Sequence, residues 1–377
     1  MKKNILIFVF SIILLMTFKT TIYAFHATTA TDGDVFFAIK NDKSLWFFET
    51  VNHNENTYSE PIQIMEDVSG ISMRMYPYLS VIKEDDSLWL IQKEDIYTPI
   101  KIMEHVAQVS NGGTHTLIVT KDNELWGYGW NEFGQLGLSE EYYDTPQKLM
   151  RHVRQAAAGE NHSIILKTDG SVWTFGENSK GQLGHTKNTN QIPTKIMENA
   201  MSVFAGAASG YALSTEQQLY FWGSLSGNLI GGNQIFHFEP EPITEAVRTV
   251  ITPHEFSLLV RSDSSLWLYG NSPQTEAVTF PGGHSVFAPL KIADNINSVS
   301  GWCNDANQML ALKEDGSLYV LSFANAKHNE TPYTFIPVLN NVKQVTQAPV
   351  APWYFTDSKS YVAFKMFLFC VTVGIIL

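Results

Sequence analysis

The chain has 377 residues, a formal net charge of −12 at pH 7 and only two cysteines. Its length exceeds the usual size of one hydrophobic core, which leaves either two domains or a repeat architecture. The acidic balance argues against a nucleic-acid partner, and the single possible pair, Cys303 and Cys370, excludes a disulfide-stapled scaffold.

The first 24 residues are predicted to form a secretory signal peptide. Lys2 and Lys3 precede an apolar run from Ile5 to Phe18, and Ala24 offers a small residue for cleavage. An uncleaved membrane anchor is the alternative, because the run approaches the length that spans a bilayer. The sequence therefore predicts a secreted or cell-envelope protein.

An acidic residue recurs along the chain, followed four positions later by an aromatic residue. The steps between copies are 43, 37, 47, 47, 47, 52 and 42 residues, which is the signature of a repeat protein. The acidic positions are Asp42, Asp85, Asp122, Asp169, Glu216, Asp263, Asp315 and Asp357, and the aromatic ones are Trp46, Trp89, Trp126, Trp173, Tyr220, Trp267, Tyr319 and Tyr361.

Each copy has the local pattern of short β-strands. In "SIILKTDGSVWTFG", from Ser163 to Gly176, two apolar runs flank a Thr-Asp-Gly-Ser turn, which predicts a hairpin. Another short run precedes each hairpin, and a Pro-led segment such as "TPQKLM" follows it, as is typical of an edge strand. Four strands per copy of about 45 residues predict an all-β fold, a β-propeller.

The blade count is seven or eight, because the two ends of the chain could share one blade. Residues 25–377 are interpreted as a single propeller domain. The apolar tail, 361–377, favours a strand because a repeat motif runs directly into it. A membrane segment is the alternative, and Lys365 interrupts it.

Several residues recur at fixed places in the repeat, which favours structural roles over chemical ones. A catalytic or metal-bound histidine needs a specific partner, and none is indicated for the two recurrent ones. We therefore predict no catalytic residue, no metal site and no cofactor. The residues assigned to the repeat framework are His115, His162, Trp126, Trp173, Gly129, Gly176, Gly223 and Gly270.

These motifs resemble the repeats of the regulator of chromosome condensation family. The resemblance rests on Gly-x-x-His at Gly112 and Gly159, on Asn131 and Asn178, and on the Gly-Gln-Leu-Gly sequences that follow. Two copies match fully, and the fifth matches in part. The resemblance implies a propeller, usually of seven blades, and suggests a secreted bacterial member. Founding members of the family catalyse guanine-nucleotide exchange, and secreted bacterial relatives include a β-lactamase inhibitory protein.

Aromatic residues outside the repeat columns are candidates for binding. Loop aromatics are typical anchors of protein interfaces, although packing between blades is the alternative. Phe133 precedes a Gly-Gln-Leu-Gly sequence and is expected to pack. The binding candidates are Trp130, Tyr142, Tyr143, Phe236, Phe238 and Trp302.

Together these features predict a non-enzymatic, exported propeller that binds a protein partner as a scaffold or inhibitor. A rigid ring presents its loops at fixed distances, so binding costs little ordering entropy. The alternatives are a lyase or hydrolase that acts on an extracellular or cell-wall substrate in the central channel, and a nucleotide exchange factor. Membrane or cell-envelope association through an apolar end also stays open.

Overall fold

The computed structural model describes most of the chain between Tyr23 and Leu339. The described residues are 23–29, 33–39, 42–52, 57–58, 62–73, 78–92, 95–187, 191–224, 236–252, 256–270, 277–279, 285–287, 290–300, 308–315, 317–322 and 334–339. They contain 31 strands and no helix. The predicted all-β propeller is confirmed.

The described strands form seven antiparallel blades. Blade 1 contains β1 (Tyr23–Thr29), β2 (Gly33–Ile39), β3 (Leu45–Asn52), β4 (Thr57–Tyr58) and β5 (Ile62–Met65), and both β4 and β5 pair with β3. Blade 2 contains β6 (Val68–Met73), β7 (Tyr78–Lys83), β8 (Leu88–Gln92) and β9 (Asp95–Met103). Blade 3 contains β10 (Val106–Asn111), β11 (His115–Thr120), β12 (Glu124–Trp130) and β13 (Tyr142–Arg151).

The remaining blades follow in chain order. Blade 4 contains β14 (Val153–Ala158), β15 (His162–Lys167), β16 (Val172–Gly176) and β17 (Thr194–Met197), and blade 5 contains β18 (Ala200–Ala205), β19 (Ser209–Ser214), β20 (Gln218–Ser224) and β21 (Phe236–Glu245). Blade 6 contains β22 (Val247–Ile251), β23 (Phe256–Arg261), β24 (Leu266–Gly270) and β27 (Leu290–Ala293), with a hairpin of β25 (Ala277–Thr279) and β26 (Ser285–Phe287) inserted. Blade 7 contains β28 (Ile296–Ser300), β29 (Gln308–Lys313), β30 (Leu318–Ser322) and β31 (Thr334–Leu339).

The first strand of each blade lies innermost. Strands β6, β10, β14 and β18 contact one another in sequence, and β1 contacts β28, which brings the first and seventh blades together. The propeller therefore closes with seven blades. The sequence had allowed either seven or eight. The eighth hairpin, around Asp357, and the apolar tail lie outside the described residues.

Neighbouring blades are held together by apolar contacts and by side-chain clamps. One hydrophobic cluster joins Leu117 and Val119 of blade 3 to Val153 and Ile165 of blade 4. The amide of Gln155 donates to the Val203 carbonyl at 2.9 Å and accepts from the Val203 N–H at 3.0 Å. A single side chain thus reproduces a strand-to-strand hydrogen-bond pair across the gap between two blades.

The antiparallel order gives the ring two different ends. Connections after first and third strands lie at one end, here called the loop end, and connections after second and fourth strands lie at the other, the hairpin end. In blade 3, His115 pairs with Gly129, which places residues 112–114 and 131–141 together at the loop end. Glu124 pairs with Arg151 at the hairpin end.

In five of the seven blades the recurrent acid stabilises its hairpin through a serine two residues later, whereas blades 3 and 5 have Glu124 and Gln218 at that position. Asp169 Oδ1 accepts hydrogen bonds from the Ser171 N–H at 2.9 Å and its hydroxyl at 2.6 Å, and Trp173 Nε1 donates to the same hydroxyl at 2.9 Å. The same acid–serine contacts recur at Asp42, Asp85, Asp263 and Asp315. The acid and the aromatic residue were predicted from their spacing, and the serine between them was not.

Acid pH is expected to weaken these hairpins. The hydrogen bonds from Ser87, Ser171, Ser265 and Ser317, hydroxyl first and backbone N–H second, lower the pKa of Asp85, Asp169, Asp263 and Asp315. A lowered folded-state pKa contributes stability that is present above the unfolded value, about 4, and is lost as pH falls through the folded value.

We expect the Asp169→Asn variant to melt below the wild type at pH 7 and the difference to shrink below about pH 4. Melting temperatures measured from pH 7 to pH 2.5 test this, with Asp144→Asn, an exposed carboxylate on β13, as the control. A difference that does not vary with pH would contradict the assignment.

Candidate functional site

The Gly-x-x-His sequences form tight turns at the loop end. The Gly112 N–H donates to the His115 carbonyl at 2.7 Å, and the Gly159 N–H donates to the His162 carbonyl at the same distance. The Gly113 N–H also donates to the Gly159 carbonyl of the next blade at 3.0 Å. Consecutive turns are therefore joined to each other as well as closed within themselves.

The two repeated histidines reach from one blade into the next. His115 Nε2 lies 2.9 Å from Ser163 Oγ, and the Ser163 hydroxyl donates its proton to the Gln135 carbonyl at 2.6 Å. The proton between His115 and Ser163 therefore belongs to His115 Nε2. His162 Nε2 donates in the same way to the Ser209 carbonyl of blade 5 at 3.2 Å. Both rings are buried, and both contacts link neighbouring blades.

The loop that follows the third strand of blade 3 is organised from inside by two amide side chains. Asn131 Nδ2 donates to the Leu138 carbonyl at 2.9 Å, and Asn131 Oδ1 accepts from the Leu136 N–H at 2.8 Å. Gln135 Oε1 accepts from the Phe133 N–H at 3.0 Å. Both amides are buried and fully engaged, and Leu136 is buried as well, so the loop is anchored from inside, whereas Glu132 and Phe133 are exposed.

The corresponding loop of blade 4 repeats this arrangement. Asn178 bonds the His185 carbonyl at 2.8 Å and the Leu183 N–H at 3.0 Å, and Gln182 Oε1 accepts from the Lys180 N–H at 2.8 Å. The Gly-Gln-Leu-Gly motif thus builds two matched, preorganised loops side by side. Preorganised loops lower the entropic cost of binding a partner.

An open groove of about 580 Å³ runs across this end of blades 3 to 5. Phe133 of blade 3 and Phe238 of blade 5 line it, and both rings are exposed, by 41% and 43%. The part between them belongs to blade 4 and is lined by Glu177, Asn178, Ser179, Thr186 and Lys187. Two apolar rings on rigid supports, with polar groups between them, have the composition of a binding site.

A chain of hydrogen bonds runs from the blade 3 loop into this groove. Gln135 Nε2 donates to Thr114 Oγ1 at 3.0 Å, and that hydroxyl donates to Asn161 Oδ1 at 3.1 Å. Asn161 Nδ2 then donates to Glu177 Oε2 at 3.1 Å. The Glu177 carboxylate also accepts from the Ser179 hydroxyl, so both of its oxygens are held in place.

The structure separates the aromatic residues that the sequence grouped as binding candidates. Phe238 lines the groove, whereas Trp130 and Tyr142 are partly buried and face each other with ring centroids 5.2 Å apart. Burial, with Asp144 and Tyr128 nearby, raises the pKa of Tyr142. Tyr143 packs against the core shared by blades 3 and 4. Phe236 begins β21, and Trp302 lies outside the described residues.

The prediction that Phe133 packs is wrong. The ring is exposed because Asn131 and Gln135 occupy the interior of the loop, and Gly134 lies against Gln191. One feature of the sequence indicated that Phe133 is exposed. The equivalent position in blade 4 is Lys180. A repeat position that also accepts lysine is typical of the protein surface.

The assigned framework residues occupy equivalent places. Gly129, Gly176 and Gly223 have φ values of +108°, +115° and +89°, which favour glycine, and Gly270 ends β24. A lysine lies over the ring of each of two framework tryptophans, Lys148 over Trp126 and Lys167 over Trp173.

Among the described residues, no three His, Cys, Asp or Glu side chains come together as a metal site. Within those residues, too, no helix is long and apolar enough to cross a membrane.

Comparisons with known proteins agree with the repeat pattern. Models of the regulator of chromosome condensation (RCC1) repeat match residues 106–135 and 153–182, and also 122–166 and 169–214. The Ultraviolet-B receptor UVR8 of Arabidopsis thaliana is 48% identical over 33 residues, which is 9% of this chain and 8% of the receptor. The chain therefore matches only a small part of that relative's length.

Solved structures with the same fold cover far more of the chain. Prp20p from Saccharomyces cerevisiae, described with its binding to Gsp1p and histones, matches with a TM-score of 0.60 and 14% identity over 93% of this chain and 96% of that one. Yeast RCC1 (Prp20) bound to Kap60 matches with a TM-score of 0.58 and 15% identity over 76% and 79%. At these identities the likeness shows the fold alone.

Proposed function

This chain carries regulator of chromosome condensation (RCC1) repeats folded as a propeller, and on that basis we propose that it is a protein-binding scaffold whose partner docks in the groove of blades 3 to 5. The observation that carries the proposal is the pair of exposed rings, Phe133 and Phe238, held on preorganised supports on either side of one groove. Exposed aromatic residues on rigid loops are typical hot spots of protein interfaces.

The yeast structures support a protein partner in general terms. Prp20p is described with its binding to Gsp1p and histones, and RCC1 (Prp20) was solved with Kap60 bound. These partners are those of the yeast protein. What we transfer to the present chain is the use of an RCC1 propeller as a platform for another protein.

The charged residues of the first strands, which are the innermost strands of the ring, favour a protein-binding function over catalysis in the central channel. The charged residues on the seven described first strands, histidine aside, are Arg154 and Arg248. Arg154 donates to the Ala200 and Met201 carbonyls of the next blade at 3.0 and 2.8 Å, and Arg248 makes the equivalent contacts with Ile296 and Asn297. Both guanidinium groups therefore clamp blades together.

We propose export as the route by which the protein meets its partner, with residues 1–24 removed, which leaves β1 to begin at Phe25. β1 begins and β31 ends at the hairpin end of the ring. The two ends of the described chain therefore lie at the opposite end of the ring from the groove. The intact mass of protein recovered from the medium or envelope tests export, and a full-length product found only inside the cell would contradict it.

The docking proposal is tested by removing both rings. A photo-crosslinking phenylalanine analogue at position 133 first identifies the partner, and its affinity is then measured for the wild type and for the Phe133→Ala/Phe238→Ala double variant. We expect the double variant to bind at least about 30-fold more weakly, because hot-spot truncations cost about 2 kcal/mol or more. Its unfolding midpoint should change little, since neither ring is buried.

Tyr97→Ala is the matched control. Tyr97 is 70% exposed and lies on β9, in blade 2. The control should bind like the wild type. Equal affinity of the double variant and the wild type would reject the groove as the docking site.

A further inference from the structure

The part of the groove between the two rings carries one lysine, which forms no ion pair within the described residues. Lys187 is exposed and lines the groove, and none of the ion pairs in that part of the chain includes it. Glu177 lines the same groove, but Asn161 and Ser179 engage its two oxygens. The available charged donor in the groove is therefore the Lys187 ammonium.

The backbone at Lys187 is held in place by a buried histidine. His185 is buried, and its Nδ1 accepts a hydrogen bond from the Lys187 N–H at 3.2 Å. Burial, followed by the charge of Lys187, lowers the pKa of His185, which keeps the ring neutral and its Nδ1 able to accept. The ammonium therefore extends from an anchored position on blade 4, between a ring from blade 3 and a ring from blade 5.

We propose that the groove binds an extended acidic segment of a partner protein, in which one carboxylate contacts Lys187 and the apolar side chains on either side of it contact Phe133 and Phe238. This inference rests on the proposed docking function and adds the chemistry of the occupant. A charge-assisted hydrogen bond to a lysine fixes the register of such a segment, and the rings supply apolar area.

A carboxylate of the groove itself narrows the sequence of this segment. Glu177 lines the same part of the groove as Lys187. Like charges brought together at an interface are unfavourable and exclude wrong partners. The segment should therefore carry a single acid, opposite Lys187 and between its apolar residues.

The test uses the full-length protein and a phage library of random heptapeptides. Selection on the wild type is expected to enrich peptides with Asp or Glu between two apolar residues. Selection on Lys187→Glu should enrich Lys or Arg at that place. A synthetic wild-type-selected peptide should bind Lys187→Glu at least about tenfold more weakly. Lys121→Glu, at the hairpin end, is the control and should still select the acid.

The outcomes separate this inference from the docking function. Two results would overturn the acidic segment and leave the docking groove in place. The selected peptides could require Phe133 and Phe238 but carry no acid. Alternatively, selection on Lys187→Glu could still enrich the acid. Peptides that are indifferent to the two rings and to Lys187 would overturn both. Failure to enrich any heptapeptide would also reject an extended segment as the occupant.

Discussion

Replacing Gly176 with alanine is expected to lower the free energy of unfolding by about 4 kcal/mol. The residue has a φ of +115°, a conformation that side-chain-bearing residues rarely adopt. An added Cβ would lie 2.5 Å from the Asn161 carbonyl oxygen and 2.7 Å from His162 Cα. Both are backbone atoms, one at the start of β15 and one just before it, so neither a rotamer change nor a side-chain shift relieves the overlap.

Gly70→Ala is the matched control for this variant. Gly70 also lies in a strand, β6, but an added Cβ meets nothing within 4 Å. Its replacement should change stability by no more than about 1 kcal/mol, and could raise it by restricting the unfolded chain. Urea unfolding followed by tryptophan fluorescence measures both. Equal midpoints for the two variants would contradict the steric argument.

The glycine column shows what the sequence could predict. Four glycines separated by 47 residues define one structural position, and the φ values of Gly129, Gly176 and Gly223 show why that position selects glycine. The period, the hairpins and the edge position of the Pro-led strands follow from local chemistry that every copy repeats. The propeller was predictable because seven independent copies carry the same information.

The groove was not predictable in the same way. Phe133, Lys187 and Phe238 lie on three different blades, and none of them belongs to a repeat column. Their proximity depends on how neighbouring blades pack, which a pattern within one copy does not encode. Phe238, for example, reaches the groove because its ring lies beside Gly181 of the preceding blade.

The serine that recurs in five hairpins was a different kind of omission, because its signal was present. Ser44, Ser87, Ser171, Ser265 and Ser317 all stand two residues after the acid. An acid in such a turn is expected to bond its own backbone. The structure shows that the acid bonds both the backbone and the hydroxyl of that serine, which in most copies also receives the indole N–H.

His162→Ala is expected to lower the free energy of unfolding by about 3 kcal/mol. The imidazole is fully buried, so its removal leaves a cavity, and the Ser209 carbonyl loses its donor from the neighbouring blade. His152→Asn is the control, because His152 is exposed in a turn with a φ of +61° that asparagine tolerates. It should shift stability by less than about 0.5 kcal/mol.

A double variant with Gly159→Ala tests whether the ring itself fills this space. A Cβ on Gly159 would overlap Cε1 and Nδ1 of His162, so Gly159→Ala alone should be strongly destabilising. Once the imidazole is removed, the new methyl group can occupy part of the vacated volume. The double variant should therefore lose less stability than the sum of the single variants, by about 2 kcal/mol. If the losses of stability in the two single variants simply add in the double variant, the His162 ring is not the reason that position 159 requires glycine.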